Sequence, residues 1–586
     1  MPTRGTDRPT ATRLTLLSHR PVSPVFGQLL TLALTTSLLV APLGGAAVAD
    51  PGPDVTTVTT APTPVPATDP VVGPVVPVVG VGATPEPVQD PATAAAQALG
   101  DAQDLFAAPV TAPEKRADGP ATTPTRDGTL VLRELAMRVD DLTSPAERRS
   151  ARHILRRPTD GSTAVGGEPK YTVPASVACT VTVCVHWVEN DVNAPTGSDG
   201  DPATVPAWVS LTLQTVDSVY ATETTGMGYR TPVDDTAAAD NGGDGRLDVY
   251  LANIGDQGLY GYCVPDDVAR ATVRAVYGYC VLDNDYATTE FGGSRTPVDN
   301  LRVTAAHELF HAVQFAYDWS EDPWLMEGTA TWMEDQLFDA VDDNRRYLSG
   351  SPLAASDMPL DFATADLRGY GAWLFWRYLS EWAGAGSTDD PRIIRYVWDN
   401  AAGDAYSLQA LQRVLALKGT TIAETLARFG VWNRDPAHYY SEGAAYHATP
   451  LLATRTLSRR SPTVHPHTAT LYHLGQLFVR YVPSPTLGRH AKLRLVVDMP
   501  ATYRGSHARV VVHRRDGAVV VYPVRLSRSG AGTRLVRFAS HDVSSVELDL
   551  INASTRYHCN QDTYESCSGL PLDDALTTRY AAHASR

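Results

Sequence analysis

Past its amino-terminal region this sequence has no apolar run long enough to cross a bilayer, which sets aside a later transmembrane segment. Positive charge is short. Lys and Arg number 49 against 65 Asp and Glu, a formal net charge of -16, and that balance argues against nucleic acid as the partner. Cysteine is scarce too, six in 586 residues. No pair has the Cys-x2-Cys spacing of a thiolate zinc site, so that kind of metal centre is disfavoured. The six fall instead into near neighbours: Cys179 with Cys184, Cys263 with Cys280, and Cys559 with Cys567. An even count in local pairs points to three disulfides in an oxidising compartment.

The amino terminus agrees with export. Arg4, Arg8, Arg13 and Arg20 precede an apolar stretch from Leu29 to Leu43, and Ala47-Val48-Ala49 fits the small-x-small cleavage rule. There is no twin Arg. Residues 1–49 therefore read as a signal peptide and the mature protein as secreted, with no stable membrane insertion. Residues 50–125 begin rich in Pro, Val, Thr and Ala, the composition of a disordered linker. Residues 126–165 carry a helical stretch, Leu130 to Arg157, which reads either as a propeptide over the active site or as a packed helical extension.

The chemistry concentrates in His307-Glu308-Leu309-Phe310-His311. Histidines four apart project from one face of a helix and both imidazoles reach one metal ion. The glutamate between them is placed to take a proton from a metal-bound water. The surrounding segment, Leu301 to Tyr317, is mostly apolar, and several of the few polar residues there and just after it, Thr304, His307, His311, Gln314 and Asp318, fall in one helical row. A narrow polar stripe on a buried helix calls for a metal or a hydrogen-bonded network, not solvent. Zinc then needs a third ligand and an open position. The next helix starts at Asp322-Pro323 and offers Glu327, Thr331 and Glu334 in a second polar row.

Trp324-Leu325-Met326-Glu327-Gly328 resembles the ligand helix of the gluzincin metallopeptidases, the clan of thermolysin and aminopeptidase N. The resemblance implies a zincin-like fold, zinc held by His307, His311 and Glu327, and Glu308 as the general base. Met326 stands where the aminopeptidase N family has Asn. Glu334 is a reserve ligand, or else it orients a ligand histidine through the other ring nitrogen. Tyr370, in Arg368-Gly369-Tyr370-Gly371, resembles the tyrosine that related enzymes use to stabilise the oxyanion. The Gly-x-Met-Glu-Asn segment that holds a substrate amino terminus in aminopeptidases is missing; Gly226-Met227-Gly228 is not one. The expectation is therefore a secreted zinc endopeptidase acting on protein or peptide. The alternatives are a zinc aminopeptidase, or a non-catalytic surface or adhesion protein with a vestigial peptidase core.

Asp240, Asp244 and Asp248 stand at positions 1, 5 and 9 of a loop with Gly at position 6 and so offer a calcium site. A Gly-Asp turn before a strand is the competing reading. Val177 to Trp187 reads as one strand and Leu247 to Asn253 as another. By analogy with gluzincins, the second is a candidate for the edge strand above the zinc helix. Tyr-Gly-Tyr-Cys at 260–263 and again at 277–280 suggests two paired strands joined by their cysteines. Helices are expected over 367–382, 391–401, 407–417 and 422–433. Beyond about 465 short alternating strands suggest a β-sandwich, of a kind that binds a polymer or a cell surface. His465 and His467 read as part of a Pro-rich link. The fold class is α+β: a zinc metallopeptidase domain over 166–445, with a β-sheet and a helical subdomain, then a β-sandwich over 465–586.

Overall fold

In the computed structural model, residues 90–107, 128–266, 274–363, 367–384 and 389–585 are described. The signal-peptide reading lies outside them, as does most of the linker. Within 126–165 the chain makes two helices, not one. Asp90-Pro91 starts α1 (Pro91–Phe106), α2 spans Gly128–Arg138, and Ser144-Pro145 starts α3 (Pro145–Ile154). The Ser144 hydroxyl accepts the first free backbone N–H groups of α3, and Pro145 at its first position loses no intrahelical bond.

The expected strand over 177–187 is a hairpin. β1 (Ser176–Cys179) turns back into β2 (Val183–Trp187), with Cys179 opposite Cys184 and bonded to it. β3 (Leu247–Ala252), β4 (Gly261–Pro265) and β5 (Gly278–Asp283) complete a five-stranded sheet in the order β1-β2-β3-β5-β4. β2, β3 and β5 are parallel, and β4 returns antiparallel to β5 with Cys263 opposite Cys280, the second disulfide. This corrects the edge-strand expectation. β3 lies in the interior of the sheet; β1 and β4 are its edges, and β4 is the one against α6.

Both faces of the sheet are covered, which is why its inner strands are apolar at successive positions. Val183, Val185, Val249, Leu251 and Leu282 face α4 (Ala207–Ala221) and, beyond the single turn α5 (Thr288–Phe291), α6 (Pro297–Asp318). Tyr250, Ala252, Tyr262, Val264, Tyr279 and Val281 face the other way, onto Leu99, Leu105, Leu132 and Leu135 of α1 and α2. The extension is thus one wall of the core. Arg157, just past α3, is buried with Asp235 and Asp248 as charge partners.

α7 (Pro323–Phe338) returns against α6. The helical half continues through α8 (Leu367–Gly371), α9 (Trp373–Ala383), α10 (Arg392–Ala401), α11 (Ser407–Leu417) and α12 (Ile422–Arg434). The carboxyl-terminal part begins at Ala453, earlier than expected. Its strands are β6 (Ala453–Leu457), β7 (Thr463–Leu471), β8 (Gln476–Pro483), β9 (Lys492–Asp498), β10 (Ser506–Arg514), β11 (Val519–Pro523), β12 (Ala531–Arg537) and β13 (Val543–Asn552). The short ribbon β14 (Tyr557–His558) with β15 (Leu570–Pro571) follows, then β16 (Leu576–Ser585). One sheet runs β11-β10-β13-β8-β6 and the other β12-β9-β16-β7. Val479, Leu495, Val510, Leu548 and Tyr580 are among the residues that fill the space between them. His465 and His467 lie in β7, exposed, and not in a link. Glu547 of β13 joins this part to the helices, because its buried carboxylate receives Arg434 of α12 and Arg480 of β8. All described residues belong to one compact unit, and the fold class is α+β.

Candidate metal centre

Thr296 caps α6, its hydroxyl accepting the Asp299 N–H, and Pro297 follows at the first position. Every residue from Val303 to Asp318 is buried. The polar row therefore has to satisfy itself inside the protein. α7 runs antiparallel along α6, so residues rising along one helix meet residues falling along the other. Gln314 meets Met326, His311 meets Glu327, and His307 meets both Glu327 and Glu334.

His307 Nε2 lies 3.3 Å from one Glu327 oxygen and His311 Nε2 lies 3.3 Å from the other. One ligand atom from each of the three residues falls within 4.8 Å of the others. Both Glu327 oxygens are shut off from solvent without a hydrogen-bond donor. Leaving a carboxylate so placed is expensive unless a cation serves it. Two imidazoles and one carboxylate are also the donor set of an open zinc site, so these residues fit the metal. The far ring nitrogens are fixed: His307 Nδ1 is 2.7 Å from Glu334 Oε1, and His311 Nδ1 is 2.7 Å from Gln314 Oε1. Gln314 is itself held, donating to the Met326 carbonyl at 2.9 Å.

Burial disfavours a charged His307 ring, but the Glu327 and Glu334 carboxylates outweigh it and hold its pKa well above the ordinary value. The same carboxylates favour a divalent cation between the rings. Burial pushes Glu334 up to about 7 against the pull of His307. Partners that orient a metal-binding histidine are typically worth about 10–100-fold in metal affinity. Glu334→Gln is accordingly expected to weaken zinc binding by about that factor, read by competition with a chelating dye; unchanged affinity would remove Glu334 from the site.

Glu308 is not one of the three converging groups. Its Oε2 accepts the Thr129 hydroxyl at 3.0 Å, and the same hydroxyl accepts the backbone N–H of Cys263 in β4 at 2.8 Å. Strand β4 passes so close that a Cβ on Gly261 would sit 2.8 Å from Glu308 Cγ and from Thr304 Cγ2; only glycine fits there. Gly328, beside Glu327, plays the same part against the Trp376 ring, where a Cβ would meet Nε1 at 2.7 Å. Met326, the departure from the resembled pattern, takes Arg133 of α2 on its sulfur. Tyr370 lies beside the converging trio, its ring 5.7 Å from that of His307 and stacked on Tyr347 at 4.6 Å. Gly128, Tyr260, His307, Glu308, Tyr347 and Tyr370 are among the residues lining a cleft of about 50 Å³, room for a few waters.

The calcium expectation is not supported by the geometry. Asp248 points inward, to Arg157 and to His186 Nε2 at 2.7 Å. Asp244 forks onto Arg246, two residues along. The three carboxylates of Asp240, Asp244 and Asp248 do not converge, and the segment is the turn before β3. Among the described residues two other acidic groups cluster, but Asp283 is taken by backbone N–H groups of Gly255 and Tyr286 and Asp335 by Arg377.

Thr129 escaped notice in the sequence because it lies far from Glu308 along the chain and in no pattern. Gln314 stood in the polar stripe, three residues after His311, and that spacing was the available signal.

No family model and no curated protein matches the chain. Among solved structures it has a weak likeness to a family GH115 4-O-methyl-alpha-glucuronidase with specificity for decorated arabinogalactans. The identity is 8%, the match covers 48% of this chain and 41% of that one, and the TM-score is 0.12. This is too low to carry an argument about fold or activity.

Proposed function

We propose that the protein is a secreted, zinc-dependent peptidase with a zincin-like catalytic core, acting as an endopeptidase. The observation that carries this reading is the convergence of His307, His311 and Glu327 on one point with Glu308 beside them. Zinc held there supplies Lewis acidity, polarising the scissile carbonyl and making water acidic near neutral pH. Glu308 takes the proton of the attacking water on its carboxylate and returns it to the leaving amine. Tyr370 offers its phenol O–H to the developing oxyanion. Glu334 and Gln314 keep the two imidazoles in the tautomer that turns Nε2 toward the metal. Three disulfides, and no membrane-spanning helix among the described residues, agree with work outside the cell.

The first turn of α2 lies along β4, where the Thr129 hydroxyl accepts the Cys263 N–H.

The test is metal analysis of the purified protein together with casein hydrolysis. One zinc per chain is expected, with cleavage lost on chelation and regained on adding zinc. Amino-acid nitroanilides should be poor substrates. A protein that binds no zinc, or one that cleaves casein unchanged after the metal is stripped, would end this reading.

A further inference from the structure

The chain carries a net charge of -16, yet from Ala453 onward Lys and Arg outnumber Asp and Glu about two to one. Part of that excess stands on the outward face of the sheet β12-β9-β16-β7. Alternation turns every second side chain out, and Lys492 and Arg494 of β9 and Arg579 and His583 of β16 are exposed. Asp498, opposite Arg579, is the one acid in the four strands. Lys492 lies directly opposite Arg537, and Arg494 lies between Leu535 and His583. Like charges facing each other across strands are destabilising. Arg537 is relieved by Asp542; Lys492, Arg494 and Arg579 have no ion pair or side-chain hydrogen bond among the described residues.

We propose that this face binds a linear acidic polysaccharide, a chain bearing carboxylate or sulfate groups. Outward positions repeat roughly every 7 Å along a strand and about 4.8 Å between strands, a spacing that suits successive anionic sugars. Exposed residues between the cations are aliphatic, Val496 and Leu535. No exposed aromatic ring on these strands offers the stacking that single-stranded nucleic acid uses or the aromatic anchor of a membrane interface. The acidic remainder of the protein repels a polyanion, so contact is confined to this end. The inference is independent of the zinc site.

Heparin and polygalacturonate serve as the sulfate and uronate probes for the full-length protein, by calorimetry and by elution from immobilised heparin. Binding at about 0.15 M salt that falls steeply as salt rises is expected. The triple variant Lys492→Ser, Arg494→Ser and Arg579→Ser should bind at least about tenfold more weakly with a shallower salt slope. Arg149→Ser, an exposed arginine far along the chain, should change nothing. The single variants at 492, 494 and 579 give the same comparison should the triple variant unfold, each with a smaller loss. The proposal is overturned if wild type and triple variant elute together, if wild type binds neither probe, or if duplex DNA or anionic vesicles bind this face more tightly than the polysaccharides.

Discussion

Glu308→Gln is expected to reduce peptide hydrolysis by about 10²–10⁴-fold while leaving zinc in place. That range is the usual contribution of a positioned general base. The reasoning rests on a division of labour in the geometry. Glu308 is outside the trio whose atoms converge, so an amide in its place should not disturb metal affinity. The amide keeps the shape that fits against Gly261, and its oxygen can still accept the Thr129 hydroxyl. It loses only the ability to take a proton. The informative measurement is kcat on casein beside zinc content on the same sample. Near-normal activity with full zinc would show that proton transfer goes elsewhere. Loss of zinc along with activity would mean that Glu308 binds the metal and that the ligand set is wrong.

The second large effect concerns stability. Asp248→Ala is expected to lower the unfolding free energy by about 1–3 kcal/mol, the cost of leaving His186 and one guanidinium nitrogen of Arg157 without a partner in the interior, because Asp235 and Asp266 still pair with Arg157. Arg157 is about 1% exposed and Asp248 about 3% in their side chains, so water cannot replace what is lost. The change also strips His186 of its partner and loosens the attachment of the segment after α3 to the sheet. Urea unfolding with and without added calcium separates charge pairing from calcium binding at this residue. The same loss in both conditions is expected. A loss seen only in calcium would restore a metal-binding role.

Helices α6 and α7 were legible because their pattern is local. Apolar residues fill most of α6 beyond Arg302, and Thr304, His307, His311, Gln314 and Asp318 fall in one row, a code that needs no knowledge of the rest of the chain. Strands β9 and β16 of the sandwich were legible for the same reason, since their side chains alternate between the core and solvent. What could not be read was pairing at a distance. β3 and β4 are both short and apolar, and only the order of strands in the sheet makes β4 an edge. Asp248 looked like a loop carboxylate because its partner Arg157 stands far back in the chain. The hairpin of β1 and β2 was hidden because the turn between Cys179 and Cys184 is itself rich in β-branched residues. The Thr129 contact had no local signature at all. The candidate site was therefore visible as donor residues, while the groups that orient and cover them were largely invisible.

Helix α7 brings Glu327 to His307 and His311, but its beginning is completed by residues much later in the chain. Trp324 Nε1 donates to the Ser566 hydroxyl at 3.2 Å, and the Cys567 backbone N–H donates to Asp322 Oδ2 at 2.9 Å. Both acceptor and donor sit in the loop closed by Cys559 and Cys567. Chains are made from the amino terminus, and early parts fold while later ones are still arriving. His307, His311 and Glu327 are thus synthesised well before the residues that dock on the start of their second helix. The start of α7 therefore gains these partners only after the segment around Ser566 and Cys567 has been made. A chain clipped ahead of Cys559 would keep His307, His311 and Glu327 and lose the contacts of Ser566 and Cys567 with the first turn of α7.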